Sequence, residues 1–155
     1  MGKGLFGALV ASVVFASTAS ADPLPDGGVT TEDIARVMKA KDLNPQVAAE
    51  KDADPLVRGT FKDLKFGVFL FGCHAATRCE SISLSSGFKV KNVNQTLISQ
   101  WNRTRRFGRA YLDANSEAWV EMDVDLAFGA TTEAVANDFD RWASVMTAFY
   151  KYVHP

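Results

Sequence analysis

Cys73 and Cys79 are the only cysteines in this 155-residue chain, and they sit where two segments of strand-like hydropathy meet. Leu64 to Gly72 is the most strongly apolar run outside the N-terminal region, and it reads as a strand covered on both faces. Arg78 to Ser86 alternates apolar and polar with a period of two. Placing Cys73 opposite Cys79 fixes the register of an antiparallel hairpin around the loop His74-Ala75-Ala76-Thr77-Arg78. Leu70 then faces Ile82 and Val68 faces Leu84 on one side of the sheet. Phe71 faces Ser81 and Phe69 faces Ser83 on the other. A slip of one residue would put Phe and Ile on mismatched faces, so a bond between these two sulfurs would determine the centre of the sheet.

Whether the sulfurs are bonded depends on the compartment. Lys3 places one positive charge near the N-terminus, an uncharged stretch runs from Gly4 to Ala21, and its most apolar part lies between Leu5 and Phe15. The stretch closes on Ala19-Ser20-Ala21, and Asp22, Pro23 and Pro25 follow. That order predicts a signal peptide over residues 1–21, cut after Ala21, and hence a periplasmic or secreted protein. The apolar run is shorter than the roughly 20 residues a bilayer requires, so no stable membrane anchor is expected after cleavage. No cysteine stands at the cut to carry a lipid. In an exported chain an isolated, closely spaced pair reads as a disulfide, and a loop this short contributes about 2–3 kcal/mol by chain entropy. The competing reading is a metal or redox site using Cys73, His74 and Cys79. Zinc usually takes four ligands, and the only other histidine is His154. No metal and no cofactor are therefore expected.

Removal of residues 1–21 leaves 134 of the 155 residues, enough for one domain with a substantial core. The full chain carries a net charge of −1. It has no basic excess of the kind that nucleic acid or an anionic membrane would attract. Residues 22–29, rich in Pro and Gly, read as a flexible N-terminal tether, and residues 30–155 as a single domain. Thr30 with Asp33 three residues on is a helix start, and Ile34, Val37 and Met38 share one face of the helix, which is expected to end near Lys41. Leu56 to Phe61 reads as a strand that turns through Lys62-Asp63. Asn94 to Thr104 reads as a short helix. A second hairpin joins Phe107–Leu112 to Ala118–Leu126, with Leu112 facing Ala118, Ala110 facing Val120, Arg109 facing Glu121 and Tyr111 facing Trp119. Val135, Phe139, Trp142, Met146, Phe149 and Val153 recur at spacings of three and four, which makes a long amphipathic helix. The expected fold is α+β, an antiparallel sheet with packed helices in the order α-β-β-β-α-β-β-α.

Three stretches carry a resemblance. Thr60-Phe61-Lys62-Asp63-Leu64-Lys65-Phe66, the segment from Trp101-Asn102-Arg103 to Ala110-Tyr111-Leu112, and Asn137-Asp138-Phe139-Asp140-Arg141-Trp142 are similar to the YbjN family. These bacterial proteins are labelled sensory-transduction regulators. The resemblance spans roughly Val29 to Val153 and is most specific over residues 101–112. It implies a fold like that of type III secretion chaperones, which commonly dimerise. It implies no defined reaction and no catalytic residues. Those chaperones are cytoplasmic, whereas an export signal is expected here.

Four arginines, Arg103, Arg105, Arg106 and Arg109, fall within seven residues. They could grip an anion, since guanidinium forks match carboxylate and phosphate. They could equally serve locally, three of them offsetting the dipole at the end of the middle helix and Arg109 pairing with Glu121. Glu121, Asp123 and Asp125 project from one strand face, the usual pattern of a solvated surface, without the spacing of a calcium loop. Ser81, Ser83 and Ser85 share a face with Phe69 and Phe71 but have no base in evident reach. Tyr111 and Trp119, flanked by Arg109 and joined by Phe69 and Phe71, fall on the sheet face opposite the core stripe. Aromatics beside Arg are what protein interfaces favour, although a second core layer would use the same residues. The sequence thus points to a non-catalytic, homodimeric binding module that engages a protein or peptide. A small-anion or enzymatic domain using the Arg103–Arg109 cluster is the alternative.

Overall fold

Three helices lie on one face of a six-stranded antiparallel sheet in a computed structural model that describes residues 22–24, 27–48, 54–74 and 78–155. The elements are α1 (Thr31–Ala40), β1 (Gln46–Ala48), β2 (Leu56–Phe61), β3 (Leu64–His74), β4 (Arg78–Phe88), α2 (Gln95–Thr104), β5 (Arg109–Leu112), β6 (Ala118–Asp125) and α3 (Thr132–Val153). The sheet order is β1-β2-β3-β4-β6-β5. The expected signal peptide and the tip of the first hairpin, residues 75–77, lie outside the described residues. Among the described residues, no helix is long and apolar enough to cross a membrane.

Local chemistry sets the boundaries. Thr30 and Asp33 form a reciprocal capping box at the start of α1, satisfying amides that a helix N-terminus leaves unpaired. Asn94 caps α2 and Thr131 caps α3 through side-chain oxygens. Lys62 and Asp63 both adopt positive φ, 46° and 67°, the geometry of a two-residue hairpin turn whose twist matches its strands. The element order differs from expectation by one strand. β1 pairs with β2 through Gln46↔Arg58 and Ala48↔Leu56. With only three residues it is too short to produce a readable alternation.

The registers of both hairpins are as the sequence predicts. Leu70 pairs with Ile82, Phe69 with Ser83 and Cys73 with Cys79; Arg109 pairs with Glu121 and Tyr111 with Trp119. Cys73 and Cys79 are joined as a disulfide. Val29 uses both backbone groups of Cys79, at 3.0 and 2.8 Å, which makes Cys73–Cys79 a non-hydrogen-bonded pair, the kind in which opposite residues approach most closely. One core cluster joins Val57, Val68, Leu70, Ile82, Leu84, Val120 and Met122 of the sheet to Ile34 and Met38 of α1, Ile98 and Trp101 of α2, and Phe139, Trp142 and Phe149 of α3.

Residues 22–24 and 27–29 are held to the domain where a flexible tether is expected. Asp22 accepts from the Thr132 amide, Leu24 donates to the Ala130 carbonyl, and Leu24 and Val29 are buried in the core. Gly27 and Gly28, both at positive φ, let the strap segment that ends at Val29 bend past β4. Gly28 has φ +99°, and a Cβ there would lie 2.2 Å from the Cys79 carbonyl oxygen, a contact no other residue could make.

Candidate functional site: the open face of the sheet

Because side chains alternate along a strand, the registers also fix what lies opposite the core. Leu56 and Arg58 of β2, Phe69 and Phe71 of β3, Ser81, Ser83 and Ser85 of β4, Trp119, Glu121, Asp123 and Asp125 of β6, and Arg109 and Tyr111 of β5 share that face. The buried surfaces of all three helices enter the core cluster on the other side. Among the described residues no helix packs on the open face. The expectation that Leu64–Gly72 is covered on both sides is therefore corrected. Its continuous apolarity comes from Phe69 and Phe71 on the open side, and Phe71 is 41% exposed.

A cleft of about 580 Å³ runs across this face. Its floor is Gly67 and Gly87, and around it stand Leu56, Arg58, Lys65, Phe69, Ser85 and Trp119. The glycines let its aromatic walls lie against the sheet. A Cβ on Gly87 would lie 2.5 Å from the Trp119 ring, so the indole lies flat over its cross-strand neighbour, and an aromatic laid over a strand glycine replaces the missing packing. Tyr111 stacks on Trp119 with ring centroids 6.5 Å apart and planes 11° from parallel.

The electrostatics are local. Arg109, largely exposed, bonds the Glu121 carboxylate, which is mostly covered. That hydrogen bond and charge raise the Arg109 pKa. Burial, followed by the Glu121 charge, pushes the Tyr111 phenol up, so it stays a neutral donor at physiological pH. The Trp119 indole N–H is buried with no hydrogen-bond partner of normal geometry among the described residues. Asp123 and Asp125 oppose Ser83 and Ser81. Among the described residues, no group of three or more His, Cys, Asp or Glu could hold a metal ion.

The candidate residues therefore divide. Arg109, Tyr111 and Trp119 form one contiguous group. Phe69 lines the same cleft as Trp119, while Phe71 lies beyond it toward the disulfide. Arg105 does not join Arg109. Arg105 lies over the ring of Trp101, 5.6 Å from its centroid, and Trp101 belongs to the core side, whereas Arg109 pairs with Glu121 on the open face. Arg103 and Arg106 are exposed near the end of α2. Sequence reasoning passed over Leu56, Arg58, Lys65 and the two floor glycines. Glycine inside a strand pattern was the available signal, since it marks a close approach or a gap.

Neither a curated protein nor a solved structure matches the chain. A family model does: YbjN, described as a putative bacterial sensory transduction regulator, matches residues 30–155. That span takes in α1, every strand and both later helices, so the chain belongs to the YbjN family.

Proposed function

We propose that this protein is an exported, non-catalytic regulatory module of the bacterial envelope that engages a protein or peptide segment across the open face of its sheet, in the manner of a chaperone, and that it works as a homodimer. The supporting observation is the cleft floored by Gly67 and Gly87 and flanked by Trp119, Phe69 and Leu56. It offers apolar area beside Arg58 and Lys65, and aromatic anchors ringed by polar groups are the common composition of interface centres. Family membership supports a regulatory role. The signal peptide expected from the sequence over residues 1–21 and the paired Cys73 and Cys79 support an envelope location.

The experiment compares wild-type protein with a Tyr111→Ser, Trp119→Ser variant. Light scattering at high micromolar concentration reports self-association, and crosslinking in the native cells reports partners. The variant is expected to lose the captured partner while its urea transition is kept. A wild-type monomer at that concentration would exclude the homodimer. Unfolding of the variant would show that the two aromatics serve stability rather than recognition.

A further inference from the structure

The turn between α2 and β5 carries a second surface, on the other side of the molecule from the cleft. Phe107 is 64% exposed and has φ +69°, a conformation that is unfavourable for a bulky side chain and natural for glycine. The neighbouring residue explains the tightness of the turn. A Cβ on Gly108 would lie 2.4 Å from Val145 of α3, so the chain is pressed against that helix and residue 107 must swing outward. Nothing in this packing calls for phenylalanine at the outward position.

One cation covers the ring, and three more follow one another closely in the adjoining sequence. Arg141 of α3 lies over Phe107, 4.9 Å from its centroid, and pairs with Asp138. Arg105 is stacked on Trp101. Arg103, Arg105 and Arg106 are exposed and form no ion pair among the described residues. Stacking restricts a guanidinium plane while leaving its N–H edges available, so less freedom is lost when it meets a carboxylate.

We propose that Phe107, with Arg103, Arg105, Arg106 and Arg141, forms a docking surface for an acidic peptide segment of a partner protein, one bearing a large apolar residue among its carboxylates. Charge complementarity selects the acidic groups, and the exposed ring selects the apolar residue. A flat anionic membrane fits less well. Electrostatic membrane recognition uses clusters of about four to eight basic residues, whereas here three arginines form no ion pair among the described residues and the fourth, Arg141, is already paired with Asp138.

The test uses the disulfide-intact protein and a fluorescein-labelled eight-residue peptide of six Glu around a central Leu-Phe pair. A second peptide has Ser-Ser at the centre, and phosphatidylglycerol vesicles serve as the third probe. The first peptide is expected to bind, with the Ser-Ser peptide and the Arg105→Gln, Arg106→Gln variant each about tenfold weaker. Phe107→Gly, which suits positive φ, is expected to keep or raise the thermal midpoint while weakening binding about fivefold. Absence of peptide binding, equal binding by Phe107→Gly, or capture of vesicles without the peptide would each overturn the proposal. So would a lowered midpoint in Phe107→Gly, since the ring would then be holding the turn.

Discussion

Asn102 closes one edge of the sheet with its own side chain. Its Nδ2 donates to the Ala110 carbonyl at 3.0 Å, and its Oδ1 accepts from the Ala110 amide at 2.8 Å. One turn of α2 thereby imitates a neighbouring strand, and the Trp101 indole adds a bond to the Gly108 carbonyl at 3.3 Å. β5 is the last strand on this side, so without Asn102 the Ala110 groups would form an unpaired edge. Asn102→Ala removes two hydrogen bonds, each worth about 1 kcal/mol net. Alanine returns about 0.5 kcal/mol in helix propensity. The expected loss is about 1–1.5 kcal/mol, or a fall of about 0.5–0.8 M in the urea midpoint at a slope of about 2 kcal/mol/M. The freed edge should also raise the mass seen by light scattering above that of wild type, because exposed edges pair with other chains. Asn102→Asp keeps the acceptor but sets a carboxylate against the Ala110 carbonyl, so it should lose at least as much as alanine. If Asn102→Ala leaves both the urea midpoint and the mass unchanged, water replaces the clamp at no cost and the edge argument fails.

Two further outcomes follow from the strap and its anchor. Burial pushes the Asp33 pKa up, but the Thr30 amide, the Arg36 guanidinium and the Thr30 hydroxyl together outweigh it and hold the carboxyl below its usual value. The unfolded chain therefore binds the proton first as pH falls, and the stability Asp33 provides is full above the unfolded value near 3.9 and lost as pH drops through the folded one. A series of urea midpoints from pH 6 to pH 2 should fall less steeply for Asp33→Asn than for wild type, and parallel curves would refute the assignment. Reduction of Cys73–Cys79, or its replacement by two alanines, should cost about 2–3 kcal/mol in the same assay, and an unshifted transition would show that the N-terminal strap alone holds the hairpin.

The sequence made the centre of the fold legible because two independent constraints agreed there. The cysteine pair set the register of β3 against β4, and the alternation of Val68, Leu70, Ile82 and Leu84 allowed no other. The second hairpin was legible for the same reason, its polar turn setting Arg109 opposite Glu121. The parts that escaped depend on contacts between distant segments. Burial of Leu24 and Val29 is not visible in a Pro- and Gly-rich composition, because it needs the ends of β4 and α3 to be in place. Asn102 could be read only as an exposed helix residue, since its meaning comes from the edge strand eight residues on. The cleft was illegible because Gly67 and Gly87, which let its walls lie against the sheet, contribute by lacking side chains.

These hidden parts explain why a sheet with one bare face can persist without a second layer. An uncovered antiparallel sheet risks pairing at its edges and adhering through its apolar area. The β5 edge is occupied by Asn102 and Trp101. On the face itself, the aromatics are interrupted by the serines of β4 and by Glu121, Asp123 and Asp125 of β6, which keep apolar surface from becoming continuous. Trp119 is partly covered by Tyr111 on one side and rests on Gly87. Besides the cleft, Phe71 and Tyr111 stay partly exposed on this face, each set beside polar or charged neighbours, Ser81 for Phe71 and Arg109 and Glu121 for Tyr111. Gly67 and Gly87 stand diagonally across β3 and β4, Gly67 opposite Ser85 and Gly87 opposite Trp119. A Cβ at Gly87 would meet the Trp119 ring at 2.5 Å, and one at Gly67 would meet Phe69 at 3.0 Å and Leu56 at 3.1 Å. Glycine at both positions therefore lets the aromatic walls of the cleft lie against the sheet, and the concavity between those walls is able to receive another chain.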